Sequence, residues 1–441
     1  MQVRLSDHFT YKKLFYFVLP TVAMMMFTSL YTIVDGFFVS NFVGKIPFAA
    51  LNLVMPLLMG INSFGLMMGT GGGAIVSATF GEGRNEDARK YFTMLTKVTV
   101  IFGIISSIIC YIFMEPIVKF LGASGDLVSD SILYGRISAL GLTFLILQVM
   151  FNTFYVIAEK GKLNLILSIS AGITNIVLDY LFIVVFEMGI AGAALATLIG
   201  QIVAGLFPVY YFSKKYTYLY FVKTKIYWNI LFKTFINGSS ELMTALSSSI
   251  INILYNYQLI RFIGENGIVA YGVFMYTSFV FAAVIIGYSI GSSPIVSYNY
   301  GAQNCEELKN LFKKSLILMG ITGVILVILS RIFAEPLLKI FVGYDRELFE
   351  VANNGFKIFS LFYLIFGFNI WGSAFFTALN NGMISALISF MRTLIFQAVS
   401  VIFLPIILGL NGIWFSASIG EFLALCLTIF FFVIKRKEYK Y

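Results

Sequence analysis

The chain has 441 residues, of which 59% are hydrophobic and only 12% charged, with a mean hydropathy of +0.90. A soluble domain carries roughly twice that charged fraction, so a soluble globular enzyme, a disordered tail protein and a disulfide scaffold are excluded. The 47 Phe, 25 Tyr and long apolar runs need lipid as their solvent.

The apolar runs predict twelve spans: 14–39, 48–76, 93–113, 132–157, 163–186, 190–212, 233–260, 268–296, 315–334, 355–379, 384–408 and 411–434. The start is basic and then apolar without a small-residue cleavage site, which predicts an uncleaved first span. Cys110, Cys305 and Cys426 are scattered and odd in number, and His8 is the sole histidine, so no disulfide framework and no transition-metal site is expected. The net charge of +9 comes from short basic runs between spans, a pattern of membrane orientation and not of a nucleic-acid surface. With the N-terminus inside, the inner segments carry 21 of the 30 Lys and Arg and the outer ones eight; Arg392 is intramembrane. Both termini are therefore expected to be cytoplasmic.

A repeat runs through the chain at a shift of 220. Gly71, Ile75, Val76, Ser77, Gly81 and Glu86 return as Gly291, Ile295, Val296, Ser297, Gly301 and Glu306, and Glu115, Pro116 and Lys119 as Glu335, Pro336 and Lys339. This predicts an all-α integral membrane protein of two six-helix bundles, 1–212 and 233–441, joined by a cytoplasmic linker over 213–232. Six is even, so both bundles have the same orientation, as in parallel-repeat transporters. The glycines of TGGGAIVSATFGEG fit close helix packing; the segment has no nucleotide fingerprint.

Five charged residues fall well inside the spans, away from their ends: Asp35, Asp179, Glu241, Arg392 and Glu421. Such groups are costly in hydrocarbon and face a bundle interior or a wet cavity. Asn175 and Asp179 share one helix face, and topology puts Asp35, Asn175, Asp179 and Thr197 at one depth in the first half. Two carboxylates in a poorly hydrated site can accept a proton or chelate Na⁺ with amide and hydroxyl oxygens; a structural polar network is the plainer alternative. The repeat counterparts of Asp35, Asp179 and Thr197 are Tyr255, Ser400 or its neighbour, and Ala417, so the second half lacks the pair. Glu241 is expected in a central cavity, with Tyr31, Gln148, Asn152, Tyr255 and Gln258 as candidate walls for a lipophilic cation. Met24, Met25 and Met26 offer adaptable lining. Arg392 and Glu421 suit an interior ion pair.

PTVAMMMFTSLYTIVDGFFVSNFVG, ALNLVMPLLMG, GTGGGAIVSATFGEGRNEDA, NIVLD with GIAGAALAT, SSELMTALSS and PIVSYNYGAQN together resemble the multidrug and toxic compound extrusion (MATE) family, on its bacterial MepA-like and DinF-like branch. The resemblance covers nearly the whole chain. It implies a V-shaped cavity between two bundles and a monomeric exporter of lipophilic, mainly cationic drugs from the bacterial plasma membrane. It also implies alternating access with H⁺ or Na⁺ as coupling ion and no cofactor. The family's first-half cation site would map onto Asp35, Asn175, Asp179 and Thr197, and its cavity glutamate onto Glu241. FGFNIWGSAFF has Asn369 where some relatives have a Na⁺-linked aspartate, which counts against a second sodium site. A lipid-linked oligosaccharide flippase of the same superfamily is the second reading, but it wants several cavity basics and Arg392 is the one deep candidate. An intramembrane aspartyl protease would want GxGD and YD contexts, whereas the two aspartates read IVDG and LDYL.

Overall fold

In lipid, a backbone with no water to bond must satisfy itself, and every apolar run of this chain does so as a helix. The structure, a computed structural model, describes residues 3–342 and 346–441. Twelve rods follow one another: α1 Tyr11–Val43, α2 Lys45–Gly81, α3 Asn85–Phe120, α4 Asp126–Ile157, α5 Gly161–Val185 and α6 Gly189–Ser213. The second set is α7 Trp228–Ile263, α8 Glu265–Gly301, α9 Cys305–Val342, α10 over 346–378, α11 Gly382–Leu408 and α12 Leu410–Tyr439. Within α10 a 3-10 turn at Ser360–Phe362 joins Arg346–Phe359 to Tyr363–Ala378. The expected twelve-helix membrane architecture is thus present.

Most rods outrun their predicted spans, because hydropathy marks only the stretch that matches hydrocarbon. The helix then continues into polar surroundings. In α3, Glu86 and Asp87 complement the dipole of the first turn and Lys119 that of the last. Eleven rods are apolar and long enough to cross a membrane by composition; α7, with Glu241 and a run of serines, falls short. Pi-helical turns interrupt three rods: Val39–Val43 ending α1, Tyr180–Val185 in α5 and Met391–Phe396 in α11.

Three buried apolar clusters form the interior. Two draw mainly on α2–α6; the third combines α7–α12 with Leu14, Val18 and the leading residues Val3, Leu5 and Phe9. The repeat is physical as well as textual. Lys119 pairs with Glu115 at 2.7 Å, and Lys339 with Glu335 at 2.7 Å.

At the end of the bundle where α1 begins, here the near end, the repeats touch reciprocally. A methyl placed on Gly81 would overlap the carbonyl oxygen of Tyr298, and one on Gly301 would overlap that of Ala78. These are the same contact seen from each half, since 78 and 81 shift by 220 to 298 and 301. Gly71 against Gly238 and Gly291 against Val18 repeat the relation one level deeper. Polar contacts reinforce the seam. Ser77 Oγ donates to Pro294 O at 2.7 Å, and Asn237 Nδ2 donates to Gly71 O at 3.1 Å and Thr377 O at 3.0 Å.

Two non-helical straps cross the near end. Residues 3–10 lead into α1 yet bind the second half: Phe9 N donates to Glu307 Oε1 at 3.0 Å, and its carbonyl accepts from Asn310 Nδ2 at 2.9 Å and Lys314 Nζ at 2.6 Å. His8 Nδ1 stands 2.6 Å from Glu307 Oε2, and Leu5 N donates to Glu159 Oε1 at 2.9 Å. The other strap, over 214–227, leads into α7 yet binds α3. Arg89 Nε donates to Tyr218 O at 2.7 Å, and Val222 N to Thr93 Oγ1 at 3.0 Å.

Because the α2–α8 crossing leaves no room for a methyl, Gly81→Ala is expected to cost about 1–3 kcal/mol. Gly60, on the same helix with open space around its Cα, is the control. Gly60→Ala should hold or raise the melting temperature in detergent, through helix propensity, while Gly81→Ala lowers it.

Candidate functional site

In the first half, α1, α5 and α6 bring the predicted quartet together. Asp35, Asn175 and Asp179 are buried, and Asp179 is completely so. The side chains of Asp35 and Asp179 are close enough to share a proton. Asn175 Nδ2 points at Thr197 Oγ1, 3.5 Å away. Asp35 Oδ1, Asn175 Oδ1 and both carboxyl oxygens of Asp179 have no hydrogen-bond donor among the described residues. Buried acceptors in native proteins are nearly always satisfied. A cluster of four oxygens without donors has the chemistry of a site for a proton or a hard cation. A pi-helical turn begins directly after Asp179 and another four residues after Asp35; such turns recur at functional sites.

One participant was missed in the sequence. Tyr134 of α4 is 1% exposed and lies within electrostatic reach of both aspartates. It is one of 25 tyrosines, and nothing in its local sequence separates it from the rest.

The second half supplies a neutral counterpart. Gly200 packs on Asn175, and its repeat mate Gly420 packs on Gln397. Gln397 thus occupies the place of Asn175. Tyr255, the mate of Asp35, donates its hydroxyl to Gln397 Oε1 at 3.3 Å, and Gln397 Nε2 reaches Ala417 O at 3.4 Å. The mates of Asp35, Asn175 and Thr197 are here tied to one another, while the hydroxyl of Ser400, at or beside the place of Asp179, is buried with no partner among the described residues.

Between the halves lies a cavity of about 350 Å³. Its walls include Met25 of α1, Asn62 and Leu66 of α2, Glu241 of α7, Ser289 of α8 and Arg392 of α11. Of the predicted wall residues, Glu241 lines it. Tyr255 stacks on Tyr271 inside the second half with ring centroids 4.8 Å apart, and Gln258 Nε2 donates to Val401 O at 3.1 Å. Tyr31 stands near Asp35. Gln148 and Asn152 are half-buried on α4, and none of these five lines the cavity. Of the methionine run, Met25 reaches it, whereas Met24 Sδ accepts from Asn164 Nδ2 at 3.0 Å.

Arg392 and Glu421 do form an ion pair, with NH1 3.4 Å from Oε1. Asn369 holds the other carboxylate oxygen at 2.6 Å, and Thr428 Oγ1 donates to Asn369 Oδ1 at 3.1 Å. The residue in place of an aspartate is therefore a donor to Glu421.

Two six-helix repeats with a cavity between them, and a buried acidic cluster in one of them, define a membrane transporter architecture. The MatE family profile matches twice, over residues 20–181 and 241–403. The chain belongs to the MatE family of transporters. The "Multidrug export protein MepA" of Staphylococcus haemolyticus is 24% identical over 426 residues, which cover 95% of this chain and 92% of that protein. Two solved folds superpose on nearly the whole chain. A MATE crystal structure in the straight conformation does so with a TM-score of 0.92 at 23% identity, covering 98% of each chain. An outward-facing multidrug resistance MATE transporter does so with a TM-score of 0.89 at 23% identity, covering 98% of this chain and 97% of that one.

Removing Glu421 alone strands a buried guanidinium, so Glu421→Ala is expected to destabilise by about 3–5 kcal/mol. The double variant Arg392→Met with Glu421→Met should recover most of that loss. Thermal melting of the purified protein distinguishes the two.

Proposed function

We propose that the protein exports lipophilic, mainly cationic compounds across a bacterial plasma membrane by antiport with H⁺ or Na⁺, the Asp35, Asn175, Asp179 and Thr197 cluster binding the ion. The observation that carries this is the asymmetry of the repeat: a buried acidic cluster whose acceptors lack donors in the first half, and neutral residues at the corresponding places in the second. Full-length similarity to MepA, named as a multidrug exporter, supports the substrate class. The basic excess of the segments at the near end supports placing that end in the cytoplasm. Residues 1–212 and 233–441 are the two moving lobes, with 213–232 as their linker, in a monomer without cofactor.

The cycle follows from the contacts. Close packing at the glycine crossings of the near end supports an arrangement in which drug leaves by the other end. Drug bound near Glu241 is released when an ion neutralises the Asp35–Asp179 pair and α1, which contributes both Asp35 and the cavity residue Met25, adjusts. The near end then opens, the ion leaves, and drug loads from inside. Thermodynamics requires only that ion and drug prefer different states, and the coupling is reciprocal. A flippase of pyrophosphate-linked lipid would need a basic cavity; here one arginine faces one glutamate.

In proteoliposomes, an imposed pH or Na⁺ gradient should drive ethidium uphill, with each ion tested alone. Asp35→Asn is expected to cut gradient-driven accumulation at least about tenfold, the loss of one transition-specific interaction worth more than 1.4 kcal/mol, while ethidium binding persists. Normal uphill transport by Asp35→Asn would overturn the coupling role.

A further inference from the structure

We propose that Arg392 is an anion-recognising subsite in the central cavity, so that the cavity favours organic cations that also carry a carboxylate over their esterified counterparts. The proposal rests on the cavity being the drug site, and it specifies which drugs fit it best.

Arg392 is 7% exposed, and its described atoms help line the same wall as Glu241. A guanidinium carries five N–H donors. Among the described residues it donates one hydrogen bond, from NH1 to Glu421 Oε1 at 3.4 Å. That is long for a charge-assisted contact, which runs about 2.7–2.9 Å. Glu421 is held more closely by Asn369, at 2.6 Å. The Nε of Arg392 is buried with no acceptor at all, and the guanidinium carbon lies 5.6 Å from the Phe366 ring centroid. The ion pair therefore anchors one corner of the fork and leaves most of its hydrogen-bonding capacity unused beside a cavity. Arg392 sits in the pi-helical turn Met391–Phe396, a local irregularity common where a side chain is aimed at a ligand.

Glu241 and Arg392 give the cavity one charge of each sign among its lining residues. A purely cationic compound gains attraction from the first and repulsion from the second. A zwitterion satisfies both, and a carboxylate matches the planar fork of arginine in a way that lysine does not reproduce.

Rhodamine 110 and its methyl ester rhodamine 123 differ by one esterified carboxylate and are matched probes. Fluorescence polarisation with purified protein in detergent at pH 7.5 should give tighter binding of rhodamine 110, by about fivefold or more. In the double variant Arg392→Gln with Glu421→Gln, which leaves no buried charge unpaired, the ratio of the two dissociation constants should move by about tenfold toward the ester, as expected for losing one charged hydrogen-bonding partner. Arg392→Lys, which keeps the ion pair but lacks the fork, should move it part of the way. Equal affinities in the unmodified protein, or a parallel loss for both dyes in the variants, would overturn the subsite. Gradient-driven transport of rhodamine 123 without any carboxylate preference would sink this inference and leave the export reading standing. Failure of both dyes to bind would count against both.

Discussion

The rest of this molecule depends on how buried charge is satisfied where no water can do it. Lipid surrounds the bundle, so each intramembrane carboxylate or guanidinium must find its partner on a neighbouring helix. The second half meets that demand with a chain of contacts running from Arg392 through Glu421 and Asn369 to Thr428. The first half leaves Asp35 and Asp179 facing one another with oxygens to spare. The second half pairs its buried charges with each other, whereas the acidic pair of the first half has no basic partner among the described residues. The repeat gives two copies of one frame, and differences at a handful of positions leave an ion pair in one and an acidic pair in the other.

That frame is joined at the near end by contacts that are equivalent in both halves. Gly81 against Tyr298 and Gly301 against Ala78 occupy the pseudo-two-fold crossing of α2 and α8. Such a crossing is either seated or separated, because backbones that touch without side chains between them have no compressible layer. The straps extend the same logic. Each half is led by a segment bound to the third helix of the other, residues 3–10 on α9 and 214–227 on α3. Separation of the halves at this end would have to release or stretch both.

Much of this was legible in the residues. Spans, repeat and the five intramembrane charges follow from hydropathy and spacing, and the quartet around Asp35 follows from helix parity and the i, i+4 relation of Asn175 and Asp179. What was not legible depends on which faces of which helices meet. Tyr255 and Gln258 look like cavity walls by residue type, yet the packing of α7 on α11 turns them to Gln397 and Val401. Tyr134 joins the acidic pair through the α4 interface, which no local pattern marks. Helix α7 is the instructive case for hydropathy itself. It is too polar to register as a span by composition, because part of its surface is spent on Glu241 and on polar contacts to α2 and α10.

The element that connects the acidic pair to the cavity is α1. Along one rod it carries Val18 and Val22 against Gly291 and Gly287 of the other half, Met25 in the cavity wall, Tyr31 beside the acidic pair, and Asp35 within it. Its leading strap is bound to α9. A change of charge at Asp35 therefore acts on a helix that already contributes to the cavity, the inter-half seam and the near-end strap. On the proposed coupling reading no separate relay through the bundle is needed, since this one helix contacts the acidic pair, the cavity and the seam between the halves. The pi-helical turn that ends this helix, Val39–Val43, begins four residues beyond Asp35 and packs near the corresponding turn of α5. The two pi-helical turns thus follow the acidic pair on both helices that supply it. Local rearrangement of those turns would alter the distance between the carboxyls with little cost to the straight segments that form the cavity. Under the proposed antiport, a division between turns that repack and rods that stay straight is how a small ion would select between two arrangements of a large bundle.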